Sequence, residues 1–134
     1  DSHADDLILF CGWLRGSEKN QVLRNASLLA LPSRQENFGL CVLEALSHGV
    51  PVIVSPGVNV AADVVSAGAG WLSTVDTNAL ENTLAQALAS EEERLRRGMV
   101  GKKFSEDFQW PRIAEQLEKM YASVIDNGRP KACV

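Results

Sequence analysis

The chain is short of the residue types that several function classes require. It carries thirteen Lys and Arg against seventeen Asp and Glu, for a net charge of −4. The basic residues form no block, which argues against nucleic acid as the main partner, because such binding needs a clustered positive face. Histidine is scarce, with only His3 and His48, far apart in the sequence. The three cysteines, Cys11, Cys41 and Cys133, are odd in number and match neither a disulfide framework nor a metal site. A zinc centre is therefore not expected, and the thiols read as reduced and structural, as in the cytosol. The longest apolar runs, Leu28 to Leu31 and Val50 to Val54, are far too short to span a bilayer. The opening residues Asp1 to Asp6 have neither the basic start nor the apolar core of a signal peptide. No internal repeat or low-complexity stretch is present. The chain begins without Met just ahead of an apolar run, and so reads as a piece of something longer.

What is present suits one globular domain. The 134 residues suffice for a real core, and 46% hydrophobic with 22% charged content is far from a disordered composition. Leu7 to Cys11 reads as a buried strand ended by Gly12, and Ser17 as the cap of a short helix running to about Arg24. Leu28 to Leu31 is a second strand, stopped by Pro32. A helix from about Phe38 to Ser47 ends at Gly49 in a left-handed cap. Pro51 to Val54 is a third strand, Asn59 to about Ala67 a short helix, and Ala69 to Ser73 a fourth strand. Asp76 or Thr77 caps a helix with Leu80, Leu84 and Leu88 on one face. Glu91 to about Phe108 reads as a charged surface helix, interrupted in its pattern by Gly98 and Gly101. Pro111 opens a last helix with Ile113, Leu117, Met120, Tyr121 and Val124 as its apolar stripe. Residues 1–125 form the domain and residues 126–134 a frayed tail. Short, wholly apolar strands alternating with helices indicate a parallel sheet covered on both faces. Ligands in such folds bind beyond the carboxyl ends of the strands. The loops of interest are therefore Gly12 to Gly16, Pro32 to Gly39 and Ser55 to Asn59.

The second of these loops carries the most chemistry. Ser33 to Leu46 follows a strand and opens a helix, with two glutamates, Glu36 and Glu44, separated by seven residues. A helix start has N–H groups without intrahelical partners and a dipole that favours an anion. Gly39 lets a ligand approach the backbone. Gly39 to Glu44 spans roughly 7 to 8 Å along a helix, about the reach from a diphosphate to a ribose. A carboxylate on each side of a phosphate site can accept hydroxyl hydrogen bonds, an arrangement that suits a nucleotide-sugar. The competing reading is a solvated face of an amphipathic helix.

The run Leu31-Pro32-Ser33, Glu36-Asn37-Phe38-Gly39-Leu40, Glu44-Ala45-Leu46 and Gly49-Val50-Pro51-Val52-Ile53 resembles the donor-binding domain of the retaining group 1 glycosyltransferases. The similarity extends from about Ile8 to Ile125 and includes Phe10 to Leu14, Ala69 to Leu72 and Phe108-Gln109-Trp110. The resemblance implies the GT-B architecture, two Rossmann-like domains facing a cleft. This chain would be the latter part of the C-terminal one, an α/β parallel sheet with helices on both faces. It further implies that Glu36, the catalytic candidate, binds hydroxyls of the transferred sugar. Phe38, Gly39 and Leu40 would offer backbone N–H groups to sugar and phosphate, and Glu44 would hold the ribose. Gly12, Trp13 and Leu14 would border the nucleobase, with Trp13 equally readable as a packing or surface aromatic. Arg15 and Arg34 are candidates for phosphate contacts, or simply solvated. His48 reads as structural, and Ser33 as bonded within its own loop.

Enzymes of this kind are expected to need no metal or other cofactor: cations and a helix N-terminus stabilise the leaving diphosphate. A glycosidase-type carboxylate pair fits poorly, since both groups would have to flank one bond. Two βα units of a complete donor domain, with an arginine and a lysine for the diphosphate, and the entire acceptor-binding domain lie outside this sequence. The expectation is that the chain alone does not catalyse transfer. In a 3-2-1-4-5-6 sheet, Leu7 to Cys11 would be strand 3. Without strands 1 and 2 it must pair with Leu28 to Leu31, pair with another chain, or stay loose, leaving an apolar edge prone to self-association. The competing functions are an epimerase or phosphorylase of the same architecture, or a non-catalytic α/β binding module. A phosphorylase should show a cofactor-lysine environment, and none is identifiable. The expected location is the cytoplasm, with peripheral attachment of the full-length protein to the inner membrane left open.

Overall fold

A computed structural model describes residues 7–127. The element order is α1 (Gly16–Asn25), β1 (Leu29–Leu31), α2 (Leu40–Ser47), β2 (Val52–Val54), α3 (Ala61–Ser66), β3 (Gly70–Leu72), α4 (Thr77–Leu88), α5 (Glu91–Ser105), a 3₁₀ turn (Glu106–Phe108) and α6 (Trp110–Asn127). The three strands form one parallel sheet in the order β1-β2-β3. β2 is buried throughout, as a central strand covered on both faces should be.

The register sorts the core into two layers. Leu29, Val52 and Gly70 are aligned, as are Leu31, Val54 and Leu72, and alternate residues of a strand face opposite sides. The first side meets Leu43, Leu46, Val64, Val100 and Phe104 in the larger core. The second side, with Ile53 and Trp71, packs on Leu80, Leu84 and Ala87 of α4. Right-handed crossovers account for this division: α2 and α3 link strands running in one direction across the sheet and so lie on the same face.

Most of the expected elements are present with shifted ends. Gly49 is left-handed (φ 77°) at the end of α2, as its sequence context predicts. Asp76 caps α4 by accepting from the Ala79 N–H at 2.8 Å. Ser17 is not a cap: α1 begins one residue earlier, with Arg15 at the N-cap position and no side-chain cap bond. Leu88 stays exposed, and Ala87 takes the place expected for it on the buried face of α4. The final helix starts at Trp110, with Pro111 in its first turn, and runs to Asn127. The remainder of the expected tail, residues 128–134, lies outside the described residues, as do His3 and Cys133.

One expected strand is absent. Leu7 to Cys11 forms no strand, and Leu7, Ile8, Leu9 and Phe10 are all exposed. Of the three outcomes open to this segment, the structure has it loose. An apolar run becomes a strand only where a neighbour accepts its backbone hydrogen bonds, and no neighbour is present among the described residues. The expected charged helix from Glu91 is present as α5, continuous through both glycines to Ser105 and followed by the 3₁₀ turn, with most of its charged residues exposed. What the sequence did not show is its buried side, where Gly98 meets the Gly49 turn and Gly101 meets α2. The glycines are what permit that contact. A Cβ on Gly98 would stand 2.0 Å from the Gly49 carbonyl oxygen, and one on Gly101 would stand 2.4 Å from Leu46 Cδ2. The pattern that weakened a helical reading from sequence is thus the packing surface of the helix.

Candidate functional site

Parallel topology collects the loops that follow the strands at the carboxyl edge of the sheet. The starts of α1 and α2 also point to that edge, because α1 feeds β1 at the opposite end. An ion pair corroborates the alignment: Lys19 Nζ in the first turn of α1 lies 2.6 Å from Glu44 Oε1 on α2. The pair is half-exposed, so its value lies more in fixing the Glu44 carboxylate than in stability. Lys19 has no local sequence signature; only the packing of α1 beside α2 reveals it.

The loop from Pro32 to Gly39 is held tightly from inside the sheet. Ser33 Oγ donates to the Gln35 carbonyl at 3.1 Å, in line with its expected role within the loop. Glu36 forms a parallel bridge to Val58. Its N–H donates to the Gly57 carbonyl at 2.8 Å, and its own carbonyl accepts from the Asn59 N–H at 3.3 Å. The Glu36 backbone is therefore fixed by the turn after β2, and its side chain is partly exposed.

Gly39 ends this loop as the N-cap of α2, with φ 83°. Two constraints require glycine there: the left-handed backbone, and a Cβ that would stand 2.9 Å from Val58 Cγ1. The Val42 N–H turns back to the Gly39 carbonyl at 2.9 Å. Among the described residues, no hydrogen bond occupies the N–H groups of Phe38, Gly39 or Leu40. These are the donors that the sequence motif marks for a phosphate or sugar. The Phe38 ring is engaged elsewhere. It packs on Phe108 with centroids 6.1 Å apart, and Phe108 packs on Phe104 at 5.1 Å, tying the helix start to the end of α5.

Cys41, in the first turn of α2, reports the field at this point. Burial pushes its thiol pKa up, and the Glu36 and Glu44 carboxylates push it the same way. The N–H groups of Val42 and of Cys41 itself pull it down. The thiol stays protonated at neutral pH, in keeping with a structural role. Both carboxylates thus lie within electrostatic reach of this one sulfur in the first turn of α2.

The remaining candidates lie further out. Gly12 is left-handed (φ 63°), Trp13 is exposed over 83% of its surface, and Leu14 is half-buried. Trp13 is thus not a packing residue within the described chain. Arg15 and Arg34 are exposed, and neither makes an ion pair among the described residues. His48 caps the end of α2 through its backbone N–H, a structural position. No group of three or more His, Cys, Asp or Glu among the described residues could hold a metal ion. No helix among them is long and apolar enough to cross a membrane.

Comparison with known proteins identifies the family to which this parallel α/β sheet belongs. The family model of the group 1 glycosyl transferases matches residues 3–104, and the chain belongs to that family. It is 32% identical over 115 residues to D-inositol 3-phosphate glycosyltransferase from Corynebacterium efficiens, covering 82% of this chain and 27% of that protein. It is 30% identical over 131 residues to N-acetyl-alpha-D-glucosaminyl L-malate synthase from Bacillus anthracis, covering 95% of this chain and 33% of that protein. The solved structure of sucrose-phosphate synthase from Thermosynechococcus elongatus superposes with a TM-score of 0.67 at 31% identity, over 75% of this chain and 26% of that one. The chain therefore spans between about a quarter and a third of the length of these relatives.

Proposed function

We propose that this chain is the donor-binding part of a glycosyltransferase that moves a sugar from a nucleotide-sugar to an acceptor with retention of anomeric configuration. The observation that carries the reading is the start of α2: three successive N–H groups without partners among the described residues, at Phe38, Gly39 and Leu40, between Glu36 and Glu44. In this reading the N–H groups and the helix dipole receive the diphosphate. Glu36 accepts hydroxyls of the transferred sugar, and Glu44, steadied by Lys19, accepts those of the ribose. Trp13 offers an exposed face beside Gly12 and Leu14 for the base. Charge developing on the leaving diphosphate is met by fixed dipoles and cationic side chains rather than by a metal. Arg15 and Arg34 are free to contribute from this chain.

The names of these relatives imply different acceptors, which supports placing the shared part on the donor side of the reaction. Their length supports placing the acceptor-binding domain and further diphosphate ligands in the rest of a longer protein. The chain by itself is then inactive.

The test uses the full-length protein and a panel of nucleotide-sugars. Glu36→Ala is expected to lower sugar transfer by about a hundredfold, the scale on which loss of a transition-state contact acts. Glu44→Ala is expected to weaken nucleoside diphosphate binding by about tenfold. Unchanged kinetics and affinity in both variants would remove the site assignment and leave a non-catalytic α/β module as the better reading.

A further inference from the structure

The turn that follows β2 packs directly on the Pro32–Gly39 loop. Ser55 is fully buried, yet its hydroxyl donates to the Ser33 carbonyl. The Gly57 carbonyl accepts the Glu36 N–H at 2.8 Å. The Asn59 side-chain amide donates to the Asn37 carbonyl, and its backbone N–H donates to the Glu36 carbonyl. The turn is itself closed by Val58 N–H to Ser55 O at 3.0 Å. Gly57 lies so near the loop that a Cβ would stand 2.2 Å from the Arg34 carbonyl oxygen and 2.7 Å from that of Ser33. The contacts alternate along the loop: carbonyl 33 to Ser55, N–H 36 to Gly57, carbonyl 36 and carbonyl 37 to Asn59. The loop backbone is thereby held at Ser33 before Glu36, at Glu36 itself and at Asn37 after it.

We infer that the Ser55–Asn59 turn is a positioning element for Glu36, and that Ser55, Gly57 and Asn59 set where its carboxylate stands. The inference rests on the donor-site reading above and extends it to residues outside the sequence motif. Glu44 is not governed by this turn. It sits within α2, whose position is set by burial of Val42, Leu43 and Leu46, and it is tied to Lys19. Disturbing the turn should therefore separate sugar recognition from nucleotide recognition, which a general loss of stability would not do.

The experiment measures, by calorimetric titration of the full-length protein, the affinity for a nucleotide-sugar and for its nucleoside diphosphate. The pairs are UDP-glucose with UDP, GDP-mannose with GDP, and ADP-glucose with ADP. For the pair the unaltered protein binds, Ser55→Ala and Asn59→Ala are each expected to weaken the nucleotide-sugar about fivefold, the scale of one hydrogen bond. Gly57→Ala is expected to weaken it more than tenfold, because the loop must move to admit the methyl group. The nucleoside diphosphate should lose clearly less than the nucleotide-sugar in all three, and stay within about twofold in Ser55→Ala, whose partner Ser33 lies furthest along the loop from the Phe38 N–H. Asn59 is exposed, so its variant tests the inference even if the buried Ser55 change prevents folding. Equal losses for both ligands, or no loss for either, overturn the inference and leave the turn a plain packing element. If the unaltered protein binds none of the pairs, the donor-site reading itself fails and the inference falls with it, an outcome visible before any variant is made.

Discussion

The two sides of β1 show how similar apolar sequence reaches opposite ends. On one face, the carboxyl loop, α2 and α5 close into a dense core in which Gly98 and Gly101 let helix backbones touch. At the free edge, Ala30 is exposed. Leu29 donates its N–H to the Pro51 carbonyl within the sheet, so in a parallel ladder Ala30 aims its N–H and carbonyl the other way. Leu7 to Phe10, as apolar as any strand in the chain, lies exposed. The lesson is that hydrophobic content says what a segment can bury, and neighbours decide whether it does. The last helix makes the same point: it meets the rest of the fold chiefly at the 3₁₀ turn, and Leu117, Met120 and Tyr121 of its apolar stripe stay exposed.

The strongest way to break the packed side is Gly98→Ala. The new methyl group would overlap the Gly49 carbonyl, and backbone cannot rotate away as a side chain can. The expected loss is about 3 kcal/mol or more, at the upper end of overpacking effects, read from the midpoint of chemical denaturation. A change below about 1 kcal/mol would mean that α2 and α5 can slide apart at little cost.

The open side is sharpened by Leu9→Lys. Leu9 is 83% exposed, so stability is expected to stay within about 0.5 kcal/mol. Association of this chain with itself, followed by sedimentation velocity over a range of concentrations, should fall, because a charge on an unpaired apolar segment opposes edge pairing. A chain that is already monomeric at high concentration would show that its exposed edge is harmless.

The smallest effect concerns pH and returns to α5. Arg96 above all, with Arg97, holds the Glu93 carboxyl down to about 2. Arg97 also reaches the Gly70 carbonyl and stacks 4.4 Å over Trp71, so Glu93 braces a link from α5 to β3. A carboxylate with a lowered folded-state pKa contributes stability above its unfolded value, and that contribution is lost as pH falls through the folded value. The window therefore runs from about 4.5 down to about 2. Glu93→Gln should slightly lower the melting temperature at neutral pH and flatten its decline across that window. An unchanged acid limb would detach Glu93 from the stability of the β3 contact.

Much of the site was legible because its signals are local. Gly39 and Gly49 mark backbone that only glycine adopts readily, Ser33 bonds two residues on, and the distance from Gly39 to Glu44 follows helix geometry. Lys19 beside Glu44 and Ser55 beneath Ser33 were not legible, since each meets its partner across more than twenty residues of chain. Gly98 and Gly101 were misleading for the same reason: local propensity counts them as helix breakers, and the contact that justifies them comes from α2.

By itself, the sequence determined the alternation of short apolar strands with helices, the turns between them, and the order of donors and carboxylates at the start of α2. Dihedral preference, hydrophobic period and residue spacing act within a few residues, so one dimension carries them. The tertiary structure decided which apolar segments found cover, which glycines became contacts, and how the turn after β2 fixes Glu36. Those outcomes depend on steric exclusion and hydrogen bonds between distant segments, which exist only once the sheet has brought them together.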